Sequence, residues 1–113
     1  MINQVTLIGN LGQDPKVAQT KGSSVANLRI ATSRAWKDKN SGEKKEETEW
    51  HDVEVWGKTA ELCGEYLTKG RKVYVLGRIK TDRWQTEDGA DKFRVKIIAD
   101  VVKFLDHGQA TEE

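Results

Sequence analysis

Apolar residues alternate with period two along most of this chain and recur at helical spacing in one stretch only. That stretch is Lys58 to Lys69, where Leu62, Cys63, Tyr66 and Leu67 fall on one helical face and Gly70 sits where a C-cap glycine belongs. The rest must be mostly β. The segment Glu49 to Gly57 shows the alternation most clearly. As an extended strand it carries His51, Val53 and Val55 on one face and Trp50, Asp52, Glu54 and Trp56 on the other. If the valines face the core, both indoles face solvent or a ligand. Keeping two large aromatics among charges is costly unless something flat stacks on them.

In chain order, Val5-Thr6-Leu7-Ile8 is a strand that bends at Gly9 and Gly12, and Asp14-Pro15 ends it. A short piece around Val17 continues on an edge, and Lys21 to Ser24 is a turn. Val25 to Thr32 is the second strand, with Ala26, Leu28 and Ile30 on one face and Val25, Asn27 and Arg29 on the other. Lys37 to Glu47 reads as a charged, mobile loop. The third strand and the helix follow it. Val73 to Trp84 is the fourth strand, Glu87-Asp88-Gly89 a hairpin turn, and Phe93 to Val102 the fifth. The expected fold is all-β: an OB-fold, a five-stranded Greek-key barrel with one α-helix between strands 3 and 4. Residues 1–105 make the domain, and 106–113 a flexible tail that includes an idle His107.

At 113 residues the chain holds one domain. No apolar run approaches the length of a membrane span, and no basic leader precedes the first strand. The single Cys63 permits neither an intrachain disulfide nor a cysteine-based metal site, and fits a reducing cytoplasm. A net charge of +1 argues against binding nucleic acid by bulk charge. The charge is nevertheless local. Residues 70–86 hold Arg71, Lys72, Arg78, Lys80 and Arg83 against Asp82 alone.

The fourth strand repeats the pattern of the third. Val73, Val75, Gly77 and Ile79 share one face; Tyr74, Leu76, Arg78, Lys80, Asp82 and Trp84 share the other. A cationic row ending in an aromatic suits single-stranded nucleic acid, because phosphates attract the cations and unstacked bases lie on the indole. Such a surface tolerates any sequence, since every base has a flat face. Trp36 is ambiguous: alternation places it with Leu28 and Ile30, so it is core unless a bulge or the loop re-aims it.

Other candidates are weaker. His51, alone on the valine face, is an interface or core residue sooner than a catalyst. Asp52 and Glu54 lack a nearby third ligand and read as a solvated face, although a metal-dependent OB-fold nuclease using them with Arg78 or Arg83 is the alternative from another class. Gly9 to Gly12 lacks the Lys-Ser/Thr of a phosphate loop. Cys63 is a small buried hydrophobe. No catalytic constellation, metal site or cofactor motif is visible.

The run Val5 to Pro15, Thr48-Glu49-Trp50-His51 leading to Trp56-Gly57-Lys58, Glu65-Tyr66-Leu67 with Lys69-Gly70, and Val73-Tyr74-Val75 with Gly77 together resemble the bacterial single-stranded DNA-binding proteins. The resemblance runs in order from about residue 1 to 104. It implies a non-enzymatic, nucleoid-associated OB-fold protein that assembles as a homotetramer and wraps single-stranded DNA during replication, recombination and repair. It places Trp36, Trp50 and Trp84 on the family's stacking tryptophans, and Trp56 on a stacking phenylalanine. Lys58, Lys69 and Arg83 fall on positions near the DNA path, and His51 on a subunit contact. With Arg78 and Lys80 these make the expected DNA-binding set. An RNA-binding or primosome-accessory OB-fold protein is the alternative.

Two departures from the family pattern stand out. Asp52 and Ala18 occupy positions where relatives often carry arginine. The chain also stops at Thr111-Glu112-Glu113, without a Gly/Gln/Pro-rich linker and an acidic Pro-Phe tip. If Glu113 is the native end, recruitment of replication and repair proteins through such a tip is not expected; the alternative is that the sequence is the core of a longer chain.

Overall fold

The structure, a computed structural model, describes residues 1–105; the expectations for the 106–113 tail, His107 included, lie outside the described residues. The elements in order are β1 (Val5–Leu11), β2 (Lys16–Thr20), β3 (Ser23–Lys37), β4 (Lys44–Trp56), α1 (Lys58–Tyr66), β5 (Lys72–Gln85) and β6 (Asp91–Phe104). The short piece around Val17 is β2, a separate edge strand paired only with β3. The helix therefore follows β4 here, but it still lies between the third and fourth of the five long strands.

Hydrogen-bonded neighbours run β1-β5-β6-β4-β3-β2, and a β1–β3 pairing closes the ring. That closure is short: Asn10 faces Ala31 and Leu11 faces Ile30. Gly9 makes it possible. A Cβ at Gly9 would collide with the Ala31 carbonyl oxygen and lie 2.8 Å from Ile30 Cγ2, so only a residue without one lets the strands meet. The β4–β6 pairing is parallel and the other pairings are antiparallel. This is the Greek-key barrel of the OB-fold.

The core is what alternation predicts on three strands. Ala26, Leu28 and Ile30 of β3, Val53 and Val55 of β4, and Val73 and Val75 of β5 are all buried. Tyr74 and Leu76 point outward, half-buried, in register with the exposed Ile8 and with Thr6 of β1. On β6 alternation fails. Asp100 is an extra residue between the Leu76–Val101 and Gly77–Ala99 pairs, and the resulting bulge reverses the parity of everything before it. Ile97, paired with Ile79, is thereby on the core side, whereas Ile98, paired with Arg78, is buried on the outer side of the sheet.

Two expectations are corrected. The charged loop at 37–47 is mostly ladder: β3 and β4 continue in register out to Lys37–Lys44, leaving a six-residue turn, 38–43. Backbone pairing together with cross-strand Arg34–Glu47 and Ser33–Thr48 neighbours sustains a ribbon that hydrophobic pattern alone does not reveal. The helix also ends three residues early. Leu67 is extended (φ −100°, ψ 144°) and buried, and Gly70, at φ +95°, turns the chain so that its N–H donates to the Leu11 carbonyl at 2.8 Å. Gly70 is thus a turn glycine beyond the helix rather than its C-cap. The buried helical stripe is Ala60, Cys63 and then Leu67, while Tyr66 is exposed.

Cys63 is fully buried, and burial pushes its thiol up to about 11. At pH 8 it is protonated as well as inaccessible. Modification by a thiol reagent is expected to be at least about tenfold slower in the native protein than in denaturant, with one thiol reacting per chain after unfolding.

Candidate nucleic-acid interface

Cross-strand register assembles one continuous outer face on β3, β4, β6 and β5. Residues paired in a sheet share a face, so Ala31–Trp50, Arg29–Asp52, Asn27–Glu54 and Val25–Trp56 lie together on β3 and β4. Glu54 then neighbours Ile98 across the parallel pairing. Beyond it come Arg78–Ile98, Lys80–Lys96, Asp82–Arg94 and Trp84–Lys92 on β6 and β5. The face thus holds Trp50, Trp56 and Trp84 together with Arg78 and Lys80. Each of these indoles is exposed, at 47, 42 and 48%. For large aromatics on an otherwise charged surface, that is the exposure a stacking platform requires.

Trp36 behaves differently. The ladder has no bulge before it, so it keeps the core-side parity of Leu28 and Ile30. By Trp36, however, the β3–β4 ribbon has run beyond the barrel, so a core-side residue is open, at 40% exposure. Arg34 lies over its ring at 4.7 Å from the centroid, and Lys37 and Lys44 flank it in a groove at the ribbon tip. Trp36 is thus exposed on the reverse side of the ribbon, with no bulge needed to re-aim it.

Arg83 also has the opposite parity, pairing with Phe93 and lying 5.8 Å from its ring, yet it lines the same hairpin groove as Trp84. Lys58 opens α1, near Glu61 at 3.8 Å. Lys69 sits after the helix, its backbone N–H donating to Asp14 Oδ1 at 2.8 Å. His51 is on the valine face and half-buried, with Nε2 2.9 Å from Thr32 Oγ1.

Trp50 is held from two sides. The Arg29 guanidinium lies 5.2 Å from its ring centroid. Beneath it is Gly12, where a Cβ would collide with the indole at Cζ3. The backbone at Gly12 is anchored by its N–H donating to the Arg29 carbonyl at 2.8 Å. Gly12→Ala should leave the fold standing but displace the indole and cost part of one stacked base, roughly 1 kcal/mol or about fivefold in affinity. Equilibrium titration with the thermal midpoint as control checks it.

The acids on this face are not solvated singly. Asp52 accepts from Arg29 (3.1 Å) and pairs with Arg94 (3.5 Å), and Lys96 Nζ bridges Glu54 and Asp82 at 2.7 Å each. Asp82 also takes Lys80 (3.0 Å), and the Trp56 indole N–H donates to Glu54 at 2.6 Å. Hydrogen bonds from Lys96 and Lys80 hold the Asp82 carboxyl below the usual carboxylate range, and Asp82 and Glu54 raise Lys96. The two directions agree. Arg78 is engaged as well, with Asp100 at 3.4 Å. Sequence reasoning missed Arg29, Arg94 and Lys96 as parts of this face, and Phe93 beside Arg83 on its reverse. For Arg29 the signal was present in its alternation with Asn27. For the β6 residues the bulge concealed it. No three His, Cys, Asp or Glu side chains converge as a metal site among the described residues.

The single-strand binding protein family matches residues 2–105. The chain belongs to that family. Single-stranded DNA binding is the function this membership carries. Among solved structures, the chain is similar to a Plasmodium falciparum SSB in complex with ssDNA, at 35% identity and a TM-score of 0.83, covering 94% of this chain and 97% of that one. It is also similar to a deletion mutant of the single-stranded DNA-binding protein of Thermus aquaticus, at 31% identity and a TM-score of 0.79. That match covers 96% of this chain and 52% of the Thermus protein, so the chain spans about half of that relative's length. No helix among the described residues is long and apolar enough to cross a membrane.

Proposed function

We propose that residues 1–105 bind single-stranded DNA without sequence preference, as a homo-oligomer, and act by covering single strands during replication, recombination and repair. Bases stack on Trp50, Trp56 and Trp84 on the outer sheet face and on Trp36 at the ribbon tip, while Arg78, Lys80, Arg83, Lys58 and Lys69 meet phosphates. The carrying observation is that three exposed indoles and a row of cations occupy one face of four adjacent strands. Stacking supports single strands over duplex, whose bases are already stacked on one another. The Plasmodium relative, solved with ssDNA, supports the same choice of ligand.

Assembly into a tetramer is supported by the apolar outer patch of Ile8, Tyr74 and Leu76, which is not needed for the core, and by His51 at the edge of the valine face. Titration with a ladder of oligo-dT should quench tryptophan fluorescence and form a complex whose affinity falls with salt. Light scattering on the same samples gives subunit number and site size. Neither quench nor complex at low salt would reject the proposal, and equal-length RNA in competition separates DNA from RNA preference.

A further inference from the structure

The strongest unexplained feature of the interface is that its central cations are already occupied. On the outer face three carboxylates, Asp52, Glu54 and Asp82, hold four cations, Arg29, Arg94, Lys96 and Lys80, at 2.7–3.5 Å. Apart from Lys80–Asp82, these contacts join residues on different strands, with Lys96 and Glu54 separated by 42 positions. The Lys96–Glu54 pair is also shielded, with side chains only 17 and 15% exposed. Salt ions screen such a pair less than they screen a surface pair. The same face carries Trp50, Trp56 and Trp84.

Resting on the single-strand proposal above, we infer that Asp52, Glu54 and Asp82 are specificity-determining residues that act as resident phosphate mimics. They occupy the cations of the binding face, so a polyanion gains little from charge alone and stays bound only if it also stacks bases on the indoles. Two physical consequences follow. A phosphate entering this face displaces a carboxylate in place of a mobile counter-ion, and the remaining carboxylate repels it. Fewer salt ions are released, so affinity depends weakly on salt. The favourable free energy then comes mainly from stacking, which heparin and duplex DNA cannot supply. Charge loss is common to all polyanions, whereas stacking is available only to single strands, so the carboxylates set a threshold that single strands alone clear.

The test compares the full chain with Asp52→Asn and, independently, Asp82→Asn. The first frees Arg29 and Arg94; the second frees Lys80 and leaves Lys96 with Glu54. Glu65→Gln, an exposed position on α1, changes net charge by the same unit and serves as control. Circular dichroism and solution mass establish that each variant is folded and assembled; if one fails to fold, the other carries the test. Binding of oligo-dT, duplex DNA and heparin is measured between 50 and 300 mM NaCl, on the order of the physiological range. Asp52→Asn should steepen the slope of log affinity against log salt for oligo-dT by up to about 1.4, the value for two freed phosphate contacts on a single strand. Heparin and duplex affinities should rise at least about tenfold at low salt, one full decade being about 1.4 kcal/mol. Glu65→Gln should do neither. If the unaltered chain and both asparagine variants bind oligo-dT tightly with parallel slopes and equal heparin affinity, the filter is overturned and single-strand binding stands. If the unaltered chain binds no oligo-dT at all, both fall.

Discussion

Replacing Trp50 and Trp84 together with alanine is expected to weaken oligo-dT binding by roughly 2–6 kcal/mol, at least about 30-fold, with the thermal midpoint nearly unchanged. Each indole is about half exposed and contributes little to the core, which is built from the opposite faces of β4 and β5. What is lost is one flat surface per residue, each supporting a base at roughly 1–3 kcal/mol. The two lie on different strand pairs, Trp50 opposite Ala31 and Trp84 opposite Lys92, so their effects should be nearly additive. Trp36→Ala, on the reverse side of the ribbon, should cost less in short oligonucleotides and more as length increases, because only a strand that passes round the ribbon reaches it. Fluorescence is the wrong readout for these variants, since the substitutions remove the reporter; calorimetry or anisotropy of labelled DNA is suitable. Affinity unchanged in the double variant would mean that bases do not lie on this face.

The second large effect is on folding. Gly77→Val should destabilise the barrel by about 3 kcal/mol or more and lower the Tm by about 10 °C or more. Gly77 is buried where the β6 bulge brings the strands close. A Cβ there would collide with the Ile98 carbonyl oxygen and lie 2.9 Å from Ile98 carbon and 3.0 Å from Ala99 Cα. These are backbone atoms of the ladder, so no rotamer change relieves the clash, and either the bulge or the β5–β6 pairing must give. Because the chain is proposed to assemble, melting should be compared at fixed protein concentration. A Gly77→Val variant that melts with the wild type would show that the bulge relaxes without cost.

Much of the tryptophan-bearing face was legible along the chain. Alternation on β4 and β5 assigned Trp50, Trp56, Trp84, Arg78 and Lys80 to the outside, because the side-chain period of a strand is local and survives wherever no bulge intervenes. His51 followed the same rule to the valine side. Trp36 shows its limit. Alternation located its side of the strand correctly, but whether that side is core depends on how far the ribbon projects, which is decided by pairing out to Lys37–Lys44. The helix length failed for a related reason. Residues 67–69 have helix-compatible composition, yet Leu67 reaches the core from an extended backbone and Gly70 must meet the Leu11 carbonyl, a partner in another strand.

The sequence by itself therefore determined which side chains share a strand face, that the chain is mostly β with one helix, and that tryptophans stand among charges. Tertiary structure alone decided what those charges do. Asp52 and Glu54 looked like a solvated pair of acids beside two indoles. Closure of the barrel and the single extra residue at Asp100 bring Arg94 and Lys96 of β6 against them, and Arg29 reaches Asp52 from β3. Strand period is set by neighbours in the chain, whereas a counter-charge is set by register between strands that the chain visits far apart. The acids on the tryptophan strand are thus partners of the cations on that face, and the face is less positive than its lysines and arginines suggest.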